Sequence, residues 1–256
     1  MSSQPEMTFV DHLHELRKRI MRAVIVLVLT MVVGLILAKP IITYLKGVEP
    51  ASQINWNVFS PWDSLRIYMN VSFLFAFLVS LPYLLIELWG FTKPALKKHE
   101  QSATIGYIPA AVLLGLVGLA FAYFIVFPMA FYFSTTVTDS LDLTETYGIS
   151  QYFSFMFNIL IPITLLFELP IVILFLTKIR ILNPFLLKRF RRLAYLIMVV
   201  TGALITPPDM ISAVVVSLPL ILLYELSVWI SRRVYRKLEE QDREREKAAE
   251  EMDESQ

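Results

Sequence analysis

Apolar residues in this chain come in long, nearly unbroken runs rather than in the short alternating clusters of a water-soluble fold. Six stretches, 20–38, 68–90, 104–133, 151–176, 193–205 and 210–230, are almost wholly apolar. A helix crossing a hydrocarbon core of about 30 Å needs about 20 such residues, so the pattern predicts an all-α polytopic membrane protein with six transmembrane helices. Pro82, Pro109, Pro128, Pro162, Pro170 and Pro219 fall inside the later runs. Membrane helices tolerate proline because neighbouring helices re-satisfy the freed backbone groups, and kinked helices are expected. Ile36 stands two before Ala38, where a signal peptidase would need a small side chain, so the first run reads as an uncleaved span.

Two runs depart from a simple span. The third would be about 45 Å long if all helical, so its end should project beyond the membrane. Ala111, Gly115, Gly118 and Ala122 recur along one face of it, which reads as a close-packing surface for another helix. The fifth has only 13 residues between Arg192 and Thr206, about 20 Å of helix. Asn183 and Pro184 suit an N-cap and a first helical position, so a helix is predicted to begin there, with Lys188, Arg189, Arg191 and Arg192 in the headgroup layer and a hairpin turn at residues 206–209. Either the bilayer thins around this short helix or neighbouring helices shield it.

The polar flanks differ in kind. Phe9, Leu13, Leu16 and Ile20 lie at helical spacing among polar residues, which predicts an interfacial amphipathic helix over 1–19. After it come the membrane domain, 20–230, and a tail, 231–256. The tail is rich in Glu, Arg, Lys and Gln without an apolar period and reads as solvated or disordered.

Composition agrees: the chain is 56% hydrophobic and 18% charged, against about 25% charged in a soluble domain. Charge adds orientation. Of 23 Lys and Arg, 20 lie in the N-terminal segment, the 93–98 loop, the 178–192 loop and the tail, while only Lys39, Lys46 and Arg66 lie in the alternate loops. By the positive-inside rule both termini are then cytoplasmic. The absence of cysteine excludes disulfides, thiolate metal sites and a cysteine nucleophile. His12, His14 and His99 have no second ligand at metal spacing, and no phosphate-cradling loop or hydrolase motif is present. No catalytic residue, metal, cofactor or nucleic-acid partner is therefore assigned, the chain reads as no enzyme, and any work it does must draw on an ion gradient or a partner.

The informative residues are carboxylates. Glu168 stands in Leu165–Pro170, ten residues before Lys178, about 15 Å from the basic boundary and so at the bilayer midplane. A charge there is costly and must face a polar cavity, be protonated or be paired, which marks it as functional. Glu87 and Glu225 lie within about two turns of basic residues, where snorkelling is as good an explanation. Asp209, beside two prolines, suits a turn. Glu15, expected on the aqueous side among Arg17, Lys18 and Arg19, and Glu100, after Lys97, Lys98 and His99, are acids within basic segments. Such groups could receive a cationic peptide, since a carboxylate binds guanidinium at two points.

The segments HLHELRKRI at 12–20, WGFTKPALKKHE at 89–100, FAYFIVFPMAF at 121–131, LLFELP at 165–170 and LITPPD at 204–209 resemble, in order, those of the TatC family, the multispanning core of the bacterial twin-arginine translocase. The resemblance runs from about residue 8 to 235. It implies a concave, glove-like bundle of six helices in the bacterial cytoplasmic membrane. It also implies binding of signal peptides with paired arginines, homo-oligomers within a complex with single-span TatA- or TatB-type subunits, and export of folded cargo driven by the proton-motive force. On this resemblance Glu15 and Glu100 are signal-peptide-binding carboxylates, with Phe91 and Leu96 in the same recognition loop. Arg17, Ser60 and Pro61 match family positions, Glu168 the buried acid of the fourth span, and Asp209 the acid of the outer hairpin. Ala213 stands where some members have Gln, which leaves open whether a separate TatB is used. An ion-coupled secondary transporter would also place a carboxylate at the midplane, but it usually shows repeated halves, and none is evident here.

Overall fold

A computed structural model of the chain describes residues 9–92, 107–178, 180–206 and 210–254. Among them it is helical throughout, with no strand and a single isolated parallel bridge between Asn57 and Gly148. Among the described residues five helical stretches are long and apolar enough to cross a membrane: His14–Gly47, Asp63–Glu87, Pro109–Ser140, Ile149–Lys178 and Ala213–Glu244. The sixth expected span is the helix Arg191–Ile205, whose 15 residues make about 22 Å. It is as short as its sequence requires. The chain divides into two compact units between Thr164 and Leu165.

In the first unit, α1 runs unbroken from Phe9 to Gly47. Of the interfacial helix expected over 1–19, residues 1–8 lie outside the described residues, and from Phe9 on it is not a separate element: no glycine or proline lies between Phe9 and Val33 to stop the helix, so span and flank form one rod of about 58 Å. α2 covers Asp63–Thr92 and packs along α1 through small residues. A Cβ on Gly34 would come within 2.8 Å of the Ser72 carbonyl oxygen, so the two backbones can approach this closely only at a glycine. Ala38, Ser72, Ala76 and Ser80 continue the seam, each fully buried.

α2 begins at an Asp63 cap. Its Oδ2 accepts the Ser60 and Phe59 amides at 3.0 and 3.1 Å, and the Ser60 hydroxyl accepts the Trp62 amide at 3.4 Å. Ser60–Asp63 thus has the spacing of a capping box.

The third run is one rod made of α3 (Tyr107–Phe121), a five-residue π segment (Ala122–Val126) and α4 (Phe127–Ser140). Pro128 has no N–H to donate one turn back, and the wider π turn absorbs the mismatch just before it. Ala111, Gly115, Gly118 and Ala122 are buried while Leu113, Leu116 and Val117 are exposed, as expected for close packing with an outward apolar face. The rod's far end meets α5 (Ile149–Phe167) in an aromatic cluster, where the Phe127 and Phe131 rings stand edge-on to Tyr152 at 5.5 Å and Trp56 meets Tyr152 at 5.0 Å.

The second unit begins within α5 and continues with α6 (Leu169–Lys178), α7 (Pro184–Arg189), α8 (Arg191–Ile205) and α9 (Met210–Glu254). The helix expected over 151–176 breaks at Glu168 because Pro170 cannot donate to the Leu166 carbonyl and disfavours helical geometry at Leu169. Asn183 caps α7 as anticipated, accepting the Phe185 amide at 3.0 Å. The tail, expected to be disordered, instead continues α9 to Glu254. Glu, Lys, Arg and Gln are strong helix formers, a preceding span removes the nucleation penalty, and Arg180 ties the extension down through Asp242 at 2.6 Å.

Candidate functional site

Glu15 and Glu87 face one another across the basic end of α1 and the C-terminal part of α2, joined by one guanidinium. Arg19, one helical turn after Glu15, donates from Nε to Glu15 Oε1 at 3.1 Å and also from Nη2 to the same oxygen. Its Nη1 reaches Glu87 Oε2 at 3.3 Å. Glu87 is further held by Arg22 Nη1 at 3.1 Å and the Tyr83 hydroxyl at 2.7 Å. The sequence reading put Glu15 on the aqueous side. The structure corrects this: the side chain is only 22% exposed, because the helix turns it toward α2, where Arg19 neutralises it. Glu15 Oε2 is buried without a hydrogen-bond partner among the described residues.

Glu87 is explained by these contacts as a structural anchor. Glu87→Ala is expected to destabilise the protein by about 1–3 kcal/mol, less than a fully buried pair because Arg22 is 45% exposed. Glu87→Gln, which can still bond Tyr83, should lose less. Melting in detergent measures both, and an unchanged melting temperature for the alanine variant would contradict the assignment.

Glu225 has the equivalent explanation in the second unit. It accepts from Arg191 and from the Tyr195 hydroxyl, and neighbouring Tyr224 donates to the Leu187 carbonyl at 2.7 Å. These bonds pin α7 and α8 to α9. Glu168 differs from both: it is 7% exposed, and its Oε1 has no hydrogen-bond partner among the described residues.

Of the other expected site residues, Arg17 is exposed on α1 and Pro61 is exposed ahead of α2. The latter is far from the Glu15 cluster, since about 36 Å of helix separates Asp63 from Glu87. Phe91 lies in the last turn of α2 and is described in backbone only. Leu96, Glu100 and Asp209 lie outside the described residues. Arg19, Arg22 and Tyr83 were not anticipated as partners. The four-residue spacings Glu15–Arg19 and Tyr83–Glu87 were a usable signal, but the pairing between the helices was not. Among the described residues no cluster of His, Asp and Glu could hold a metal ion.

At the other end of the first unit, a cavity of about 780 Å³ is lined by Glu49, Asn57, Tyr132, Asp139, Glu145 and Tyr147 among others. Burial, and then the hydrogen bond to Glu145, push the Tyr147 hydroxyl up to about 12. None of the expected site residues lines this cavity.

A family model described as Sec-independent protein translocase protein (TatC) matches residues 11–219. A Sec-independent protein translocase protein TatC of Halalkalibacterium halodurans is 43% identical over 237 residues, covering 93% of this chain and 94% of that protein. TatCy of Bacillus subtilis is 38% identical over 232 residues, covering 91% of each. A crystal structure of the twin-arginine translocase receptor TatC superposes with a TM-score of 0.72 at 31% identity, covering 87% of this chain and 99% of that one. A second, in DDM, gives 0.74 at 32% identity, covering 86% and 99%.

Proposed function

Since the chain belongs to the TatC family of Sec-independent protein translocases, we propose that it is the receptor core that reads paired-arginine signal peptides on the cytoplasmic face. As a family member it is a multi-pass membrane protein, a subunit of the Tat translocase and not an enzyme. Six spans, with α8 as the fifth, leave both termini in the cytoplasm of a bacterial cell. Glu15 and Glu100 bind the peptide's arginines, beside Phe91 and Leu96. Single-span TatA- or TatB-type subunits and further copies of this chain complete the complex, and Glu168 and Asp209 serve transport of folded cargo driven by the proton-motive force.

One observation carries the recognition step: Glu15, half-buried in a basic neighbourhood, already holds a guanidinium through two nitrogens on one oxygen. The site is thus suited to arginine, whose planar fork an ammonium cannot reproduce. Crosslinking of a twin-arginine signal peptide to membranes carrying the chain tests the assignment. The topology has its own test. The chain has no cysteine, so single cysteines label cleanly. Positions 140–146 should react only from outside the cell and position 240 only from inside; the reverse at either site would overturn the six-span arrangement.

A further inference from the structure

Arg19 does more than neutralise Glu15. We propose that it is a built-in competitor, a positioning residue that occupies the receptor carboxylate and that a substrate arginine has to displace. This rests on the reading of Glu15 as a signal-peptide carboxylate.

The two carboxylates that share Arg19 are unequally held. Glu87 has three donors, Arg19, Arg22 and Tyr83. Glu15 has Arg19 on Oε1, while Oε2 is buried without a partner among the described residues. If Arg19 released Glu15, its guanidinium would keep Glu87, and Glu87 would stay compensated. Opening the Glu15 side of the bridge therefore leaves Glu87 compensated, and the charge it bares is Glu15, the group an arriving arginine would pair. The seat of the guanidinium is also built into α2. A Cβ on Gly90 would stand 1.9 Å from Arg19 Nη1 and 2.8 Å from its Cζ, so the guanidinium lies in the space that a side chain at residue 90 would take.

Oε2 is buried, so an arriving arginine reaches it only as Arg19 turns to Glu87 alone; its fork can then bond Oε1 and supply the donor that Oε2 lacks. The exchange gives Glu15 a new partner while Arg19 keeps Glu87, so each carboxylate stays paired and the peptide gains only what it holds beyond Arg19. The apparent affinity is lowered by the fraction of Glu15 that Arg19 occupies.

The test measures the affinity of a labelled peptide with two consecutive arginines ahead of an apolar segment for the full chain in nanodiscs. Arg19→Gln is expected to tighten binding by about three- to fivefold, the occupancy that a partly exposed pair sustains. Arg22→Gln removes the same charge from Glu87 and should give a much smaller gain. In a Glu15→Gln background Arg19→Gln should give none, which isolates the coupling. Arg19→Lys, which keeps the charge but not the fork, should fall between and serves if the glutamine variant inserts poorly. Equal gains for Arg19→Gln and Arg22→Gln would reduce the effect to general charge, and weaker binding for Arg19→Gln would make Arg19 a support for the peptide; either overturns the proposal. If Glu15→Gln alone leaves binding unchanged, the receptor assignment itself fails, an outcome separable from both.

Discussion

Replacing Glu15 and Glu100 together by alanine is expected to weaken twin-arginine peptide binding by on the order of a hundredfold, with the protein still inserted at normal levels. A hydrogen bond to a charged group contributes roughly 1.5–3 kcal/mol, and 1.4 kcal/mol is a factor of ten, so two lost contacts give two decades. The surrounding segments are strongly basic, and without local negative groups a cationic motif is repelled. Insertion should survive because Arg19, released from Glu15, still has Glu87. The Glu100→Ala variant should lose less than the double variant, charge reversal to lysine more than alanine, and aspartate should lie between because its shorter side chain keeps the charge but not the reach. A twin-lysine peptide should bind the unaltered protein more weakly. Unchanged crosslinking by the double variant at physiological salt would move recognition away from these carboxylates, toward the segment around Phe91.

The second large effect is expected at Glu168. Glu168→Ala and Glu168→Gln should insert and accumulate nearly normally while exporting a folded twin-arginine substrate at least about tenfold more slowly, a barrier difference of about 1.4 kcal/mol. The separation of stability from function follows from its surroundings. Glu87 and Glu225 each hold two or more partners, and removing either strands them. Glu168 Oε1 has none among the described residues, and a buried polar group without a partner costs the fold free energy. Removing it should leave stability unchanged or raised, whereas a residue retained for folding would show the opposite. Export at the wild-type rate in both variants would falsify the functional assignment. Activity kept by glutamine and lost by alanine would assign the role to hydrogen bonding rather than charge.

Much of this molecule is legible in the sequence, for reasons that are local. Hydrocarbon thickness sets how many apolar residues a span needs, so the five long runs fall in helical stretches long enough to span, even where a proline interrupts the α-helix. The shortness of the run after Arg192 reappears as the 15 residues of α8. Asn183 and Pro184 act within one turn of backbone, and the small residues from Ala111 to Ala122 mark a packing face whatever the partner. Family membership was equally legible, since motif order is a property of the chain.

Tertiary structure decided what depends on neighbours distant in sequence. Whether a helix stops at its polar flank is not written in hydropathy: α1 absorbed the expected interfacial helix, and α9 carried the tail to Glu254 because nothing broke either rod. The roles of Glu87 and Glu225 stayed open in sequence because their partners, Arg19 and Arg191, lie 68 and 34 positions away. Glu15 could be read as an acid among basic residues, but not as one already engaged by Arg19 in a seat shaped by Gly90. Spacing along one helix states which side chains share a face. Only the packing of α1 on α2 states which charge on that face is neutralised and which oxygen of Glu15 is left to receive another donor.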